Sequence, residues 1–465
     1  VGGTAGAVWG RAEQQDFRSR VRGTLLGAAV GDALGAPVAG LGLDAIREEH
    51  GPEGLSDLAP AHGRRGAVTH LTQLTLFSVD GLIRAQVRRD TGAWHPPTDL
   101  HRAYRRWAAT QRDWGPDLRR KDDGWLAHEE WLYVRRDPPR ALLLGLGDET
   151  MGTPEAPKNP GERGPEAAAR SAPFGLLVGW EPQLVAQLAV ECAAQTHGHP
   201  TGYLAAGAYA VIVHGLARGE SLDAAVQRAL ALLVARPGHE PVTDALQHAL
   251  GAVRQGLPVP ARVTGLIGAG TAEGLVAAAV YCALVGEDVR HGLRLAVNHD
   301  GPSAAAGALT GGLLGALHGE TALPPAWLAE LEGRPTLLEL ADDFAMEMTQ
   351  GSRPARPGEL VPRVADAVPA GVAVRFREAD GRGTRLAWRP WTSAFTPPSF
   401  RTTTRRRPWP STGTSSASRS ARTSGTARCA GSPSDRPASR TSRCSCRRPP
   451  WTPASPTPSA APSPR

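Results

Sequence analysis

At 465 residues the chain has room for one large domain with appendages, and no apolar run in it is long enough to cross a bilayer. The formal charge of +7 comes from one end, because Thr396–Arg465 carries 13 arginines against one acid, Asp435, leaving 39 basic and 44 acidic residues in Val1–Phe395. A mildly acidic body offers no basic face for nucleic acid. The cysteines are Cys192, Cys282, Cys429, Cys444 and Cys446, and Cys444-Ser445-Cys446 lacks a partner pair at metal-ligand spacing. With no charged, apolar and small-residue leader at the start, the expected location is cytoplasmic.

Taken in order, residues 1–16 read as a polar, disordered leader. From Phe17, FRSRVRGTLLGAAVGDALGAPVAG places apolar residues at helical spacing, and Gly27, Gly31 and Gly35 fall four apart, so another helix can approach the backbone. Thr69–Ala85 is a second helix, capped by Thr69, with an apolar stripe at Leu74, Leu76, Phe77, Leu82 and Ile83. Trp94–Arg140 mixes tryptophan with arginine. That mix can stack on bases, but amphipathic helices with aromatic cores and solvated arginines fit an acidic body better.

Leu142–Phe174 reads as loop. In Gln195-Thr196-His197-Gly198-His199-Pro200 the histidines suit hydrogen bonding at a helix junction, and Pro200 suits the first turn of the helix that follows. Leu222–Gln255 gives two amphipathic helices, Ala272–Val297 two more, and Pro325–Met348 two short ones. Between the last two pairs lies Asn298–Gly319, NHDGPSAAAGALTGGLLGALHG, a polar turn running into a helix of Ala, Gly and Leu. Free N–H groups and the dipole at such a helix start suit an anionic or metal-bridged ligand, and a capped core helix needs none. Residues 351–395 form an irregular extension. Residues 396–465, almost all Arg, Ser, Thr, Pro and Ala, bury too little to offset ordering entropy. This tail reads as disordered, a basic tail or an out-of-frame translation of a GC-rich gene. The fold class expected is all-α.

Several of these blocks resemble, in the right order, the ADP-ribosylglycohydrolase family over about Phe17–Leu340. The family opening G-x-A-x-GDA-x-G-x-P-x-E is met by Gly27, Ala29, Gly31, Asp32, Ala33, Gly35 and Pro37, but its final Glu is Ala39. The family's T-D-D-T-Q-M-T-L-F becomes Thr69-His70-Leu71-Thr72-Gln73-Leu74-Thr75-Leu76-Phe77, with both metal-binding aspartates replaced. The turn after Gly301 should continue D-S-D-S/T; here it is Pro302-Ser303-Ala304-Ala305. The family loop ending M-R-x-x-P keeps Arg170 and Pro173, while its Gly-Cys-Gly is Gly164-Pro165-Glu166 and its Met is Ala169. Pro165 removes a backbone donor there, and Glu166 would repel a diphosphate. His197 and His199 match the family's T-H-x-H-P block.

The resemblance implies a single orthogonal helical bundle over residues 17–350. It also implies hydrolysis of a glycosidic bond to ADP-ribose, helped by two divalent cations. Hard cations need oxygen ligands, and the positions that should supply them or the base hold Ala39, His70, Leu71, Pro302, Ala304 and Ala305. The expectation is therefore an inactive relative with no cofactor. It would bind an ADP-ribose-like nucleotide or an unknown protein through Asp32, Thr69, His70, Arg170, His197, Asp300 and Ser303. Two alternatives stand beside it. One is an active hydrolase with a single Mg²⁺ or Mn²⁺ near His70, Asp300 or Asp32. The other is a repurposed enzyme using Arg170, His197 and His199.

Overall fold

Two helices distant in sequence form the axis of the helical unit, and small residues at four-residue spacing decide how they meet. The structure is a computed structural model and describes residues 9–89, 94–116 and 124–350. All of these belong to a unit spanning Val1–Phe395; the other unit, Thr396–Arg465, and the expected extension at 351–395 lie outside the described residues.

The order begins with α1 (Arg11–Gly35), α2 (Leu43–His50) and a two-residue antiparallel ladder, β1 (Pro60–Ala61) with β2 (Arg64–Arg65). Next come α3 (His70–Arg89), α4 (Pro96–Thr110), α5 (Arg140–Gly147), and two single turns, α6 (Glu166–Ala169) and α7 (Ala172–Gly175). The remainder is α8 (Pro182–Ala194), α9 (Pro200–Ala217), α10 (Leu222–Leu233), α11 (Glu240–Ala252), α12 (Pro260–Ile267), α13 (Ala272–Val285), α14 (Val289–Val297), α15 (Ser303–His318), α16 (Pro325–Glu330) and α17 (Arg334–Gln350). The fold is all-α, as expected.

The axis is α1 against α15. Gly23, Gly27, Gly31 and Gly35 face Gly315, Gly311, Gly307 and Ser303 in antiparallel register, and any added Cβ would run into the opposite backbone. Ser303 to Ala316 are all buried. A helix apolar on every side belongs in a core, and α9 and α13 are buried in the same way. Tyr209 of α9 ties in by donating its hydroxyl to the Leu309 carbonyl at 2.9 Å. At the outer end, Arg18 and Arg22 of α1 both grip the Asp342 carboxylate of α17 through paired N–H donors at 2.5–2.7 Å.

Four boundaries differ from the sequence expectation. Helix α1 begins at Arg11, inside the expected leader. The Glu13 carboxylate accepts the Gly10 N–H at 2.9 Å, Asp16 pairs with Arg20, and Trp9 packs on Phe17 with ring centroids 5.2 Å apart. Among its described residues, the stretch 94–139 forms one amphipathic helix, α4, followed by short 3₁₀ turns at Trp125–His128 and Glu130–Tyr133. Helix α5 opens what was read as loop, carried by the apolar run Ala141–Leu144. In Pro325–Met348 the second helix is long, because the latch on Asp342 and burial of Leu337, Leu340, Ala341 and Phe344 hold it on α1 and α3.

Candidate functional site

The expected ligand residues gather where the C-terminal end of α1, the N-terminal ends of α3 and α15, and the short α6 come together. The α1–α15 pair sets this junction, because Gly35 rests on the backbone of Ser303 and Ala304, which brings the turn before α15 beside the end of α1.

Asp32 is fully buried and accepts four hydrogen bonds. Its Oδ1 accepts the Thr69 hydroxyl at 2.7 Å, and its Oδ2 accepts the Thr69 N–H at 2.8 Å, the Thr72 hydroxyl at 2.5 Å and the Thr72 N–H at 3.3 Å. The carboxylate caps α3 from outside the helix, taking donors that a helix start leaves unpaired. Burial pushes the Asp32 carboxyl up from its ordinary range, and these hydrogen bonds oppose that rise. Thr69 also caps α3 itself, as expected, its hydroxyl accepting the Leu71 N–H at 3.2 Å.

Asp300 serves a different element. Its Oδ1 accepts the Leu43 N–H of α2 at 2.7 Å, and its Oδ2 accepts the Thr264 hydroxyl at 3.3 Å. Asn298 pins the loop before β1: its Oδ1 accepts the Leu55 N–H at 2.7 Å, and its Nδ2 donates to the carbonyls of Leu55 and Arg294. Ser303 is buried, and its N–H closes the turn onto the Gly301 carbonyl at 2.9 Å. The polar turn read in the sequence is thus a set of structural clamps. Asp32 and Asp300 each hold a helix start, one that of α3 and the other that of α2.

The positions that the resemblance marks as metal ligands carry matching losses. Leu71 is buried and, with Leu25, Ala28, Ala29, Thr72, Thr75, Ala169 and Ala308, lines a void of about 10 Å³, space for about one water. Ala304 and Ala305 are buried methyls, and Ala39 is exposed. Among the described residues no group of three or more His, Cys, Asp or Glu side chains is placed to hold a metal ion. A pair of hard dications needs an oxygen-rich, negatively charged cage. Alanine, leucine and proline offer no side-chain oxygen, and the donor set does not fit such a pair.

His70 is the first residue of α3 and is partly exposed. Its Nδ1 lies 3.0 Å from the Arg136 carbonyl, which can only accept, so Nδ1 carries the proton. The Nε2 atom is buried without a hydrogen-bond partner. Arg136 is held by a buried ion pair with Glu332, which also accepts the Val68 N–H at 3.1 Å.

Arg170 and His197 belong to a second, connected network. Arg170 is buried, stacked over Tyr104 at 4.9 Å, and donates from Nη2 to the Thr196 hydroxyl at 2.7 Å. Thr196 Oγ1 lies 2.7 Å from His197 Nδ1, and His197 Nε2 lies 3.0 Å from Glu166 Oε2. His199 acts as a junction residue, capping α9 through Thr201. Sequence reasoning missed the pairing of Glu166 with His197 and the role of Thr72. The Thr69-x-x-Thr72 spacing at a helix start was the available signal for the second; nothing local signalled the first.

Comparison with known proteins follows the same line. The family model described as ADP-ribosylglycohydrolase matches residues 13–354. Among solved structures, the chain resembles one titled "ADP-ribosylglycohydrolase-related protein complex". The TM-score is 0.52 at 26% identity, over 73% of this chain and 100% of that one. No curated protein matches the chain. The ordered helices, the blocks in sequence and the match over most of the chain agree: this protein belongs to the ADP-ribosylglycohydrolase family.

Proposed function

We propose that this protein is a pseudohydrolase, a family member that keeps the helical scaffold for binding a ligand or partner and no longer cleaves the glycosidic bond. One observation carries the reading. Asp32 and Asp300, the carboxylates that survive in the metal-binding blocks, serve as helix caps on α3 and α2. A cation that displaced a Thr69 or Thr72 donor from Asp32 would leave it unpaired in a buried setting, at about 1–3 kcal/mol for each.

Ala39 supports the same conclusion, since a methyl group can neither accept nor deliver the proton that activation of water requires. Hydrolysis of ADP-ribosylated arginine protein by the full chain, with and without Mn²⁺, tests the proposal. Release of ADP-ribose at the background rate in both conditions is expected; metal-dependent release well above background refutes it.

A further inference from the structure

The stretch that mixes tryptophan with arginine separates, in the structure, into a core side and an outer side. Tyr104 and Trp107 of α4 are fully buried. Arg102 and Arg105 of the same helix face outward, with 52% and 42% of their side chains exposed. On the neighbouring α3, Arg88 is exposed and Arg84 partly so. Local charge runs against the rest of the body. Residues 80–123 carry ten lysines and arginines against seven aspartates, a net +3 inside a body of net −5.

Two buried carboxylates order these arginines. Asp80 Oδ1 accepts Arg84 Nε at 2.9 Å, and its Oδ2 accepts Arg106 Nη2. Asp99 Oδ1 pairs with Arg88 Nη1 at 3.2 Å and with Arg102 Nη1 at 3.4 Å. Each carboxylate is thus shared by one arginine of α3 and one of α4. The helices run antiparallel, so Arg84 is matched with Arg106 and Arg88 with Arg102. Burial pushes the Asp99 carboxyl up, and Arg88, Arg102 and Arg106 oppose that rise, so the two pairs share one field. Asp80 and Asp99 are only 7% and 4% exposed, and a guanidinium keeps its charge in any setting. The outer face therefore presents guanidinium groups with their carboxylates beneath. Four residues separate the pairs along each helix, a rise of about 6 Å. Among the described residues Arg102 engages a partner through Nη1 alone, and Arg105 holds the exposed Glu149 through Nη2 alone, so most of their N–H donors remain open to an incoming acceptor.

We propose that this α3–α4 face is a docking surface for a partner protein that presents an acidic helix, with carboxylates four residues apart on one side. That spacing on the partner repeats every 6 Å or so, as the arginine pairs do. Arginine forks bind carboxylates through paired, charge-assisted bonds, and one exposed pair alone is worth little, so recognition needs several pairs engaged together. A single-stranded nucleic acid fits less well, because it needs aromatic side chains among the basic ones for its bases to stack on. Tyr104 and Trp107 lie beneath these arginines, and the exposed Trp114 comes after the end of α4. From Thr72, at the family-type junction, to Arg84 is about 18 Å along α3. The surface is separate from that junction, and its proposal stands or falls without the pseudohydrolase reading.

The test is fluorescence anisotropy of the full chain with three labelled probes: an alanine-based helical peptide with glutamates four apart, the same peptide with glutamine in their place, and a single-stranded oligothymidylate of equal charge. The glutamate peptide should bind with a dissociation constant of about 0.1 mM or tighter at about 0.05 M salt, and at least about threefold more weakly at about 0.2 M. The glutamine peptide and the oligothymidylate should bind at least about tenfold more weakly than the glutamate peptide. Arg102→Ala with Arg105→Ala should weaken the glutamate peptide at least about fivefold. Arg254→Ala, which removes an exposed arginine after α11, should leave its affinity within about twofold. The proposal is overturned if the glutamate peptide does not bind, if either other probe binds as tightly, or if the double variant binds no more weakly than Arg254→Ala. Should the double variant not fold, Arg105→Ala alone decides by the same comparison, since its partner Glu149 is a surface residue.

Discussion

Replacing Gly311 by alanine places one methyl group within the close α1–α15 contact. The new Cβ would lie 2.6 Å from the Gly27 carbonyl carbon and 3.2 Å from the Ala28 nitrogen, both backbone atoms. Ordinary carbon contacts are about 3.5–4.0 Å, so the helices must separate by about 1 Å. Neighbouring pairs at Gly31–Gly307 and Gly23–Gly315 are packed just as closely, so separation loosens the contact along its length.

Overpacking of this kind costs about 1–3 kcal/mol, while alanine in a helix interior returns about 1 kcal/mol relative to glycine. The contacts are backbone atoms that cannot swing aside, so the upper half of that overpacking range, about 2–3 kcal/mol, applies, and a net loss of about 1–2 kcal/mol is expected, read as a lower urea midpoint with unchanged slope. Gly265→Ala in α12 is the internal control. Its added methyl meets nothing within 4 Å, so only the helix-propensity gain applies and the midpoint should rise slightly. If Gly311→Ala proves as stable as the unaltered protein while Gly265→Ala behaves as expected, the close α1–α15 packing is wrong.

Thr72→Val removes one hydroxyl donor from buried Asp32 at nearly constant shape and should cost about 1–3 kcal/mol in urea unfolding; a cost near zero would show that Asp32 is not clamped to α3. Asn298→Ala strands both the N–H and the carbonyl of Leu55 and should destabilise by about 2 kcal/mol or more, with faster hydrogen exchange at residues 54–58; unchanged exchange there would contradict the clamp. His214 is fully buried, and burial, with Arg218 and Arg228 nearby, lowers its pKa to about 4. The unfolded chain binds that proton near pH 6.5, so stability is retained above that value and falls as pH drops from about 6.5 to about 4. His214→Leu should flatten that part of the stability–pH curve, and an equally steep fall in the variant would exclude His214 as its source.

The helical architecture was legible because its signals are local. Glycines four apart in α1 announced a close helix neighbour, and a fully apolar stretch beginning at Ser303 announced a core helix. What those signals lacked was the partner, since nothing in either segment alone states that Gly27 faces Gly311. Short helices such as α2 and α12 escaped notice because eight residues hold too few apolar repeats to set a period; α2 is also started from a distance, by Asp300.

The site was read in outline for a related reason. Replaced ligands are visible residue by residue, so Ala39, Leu71 and Ala304 stand out in the motifs. The fate of the surviving residues depends on contacts over long sequence distances. Asp32 reads as a ligand residue until Thr69 and Thr72 are seen to hold it by four hydrogen bonds. Glu166 reads as a repulsive intrusion until His197, 31 residues away, is found holding it.

The central claim is that the scaffold survives without its metal chemistry. Calorimetric titration of the full chain with ADP-ribose, in Mn²⁺ and in chelator, addresses that most directly. The account predicts the same weak or absent binding in both conditions, because among the described residues no set of carboxylates is placed to couple metal and ligand. Binding tightened tenfold or more by Mn²⁺ would contradict it and would restore a working metal centre to this chain.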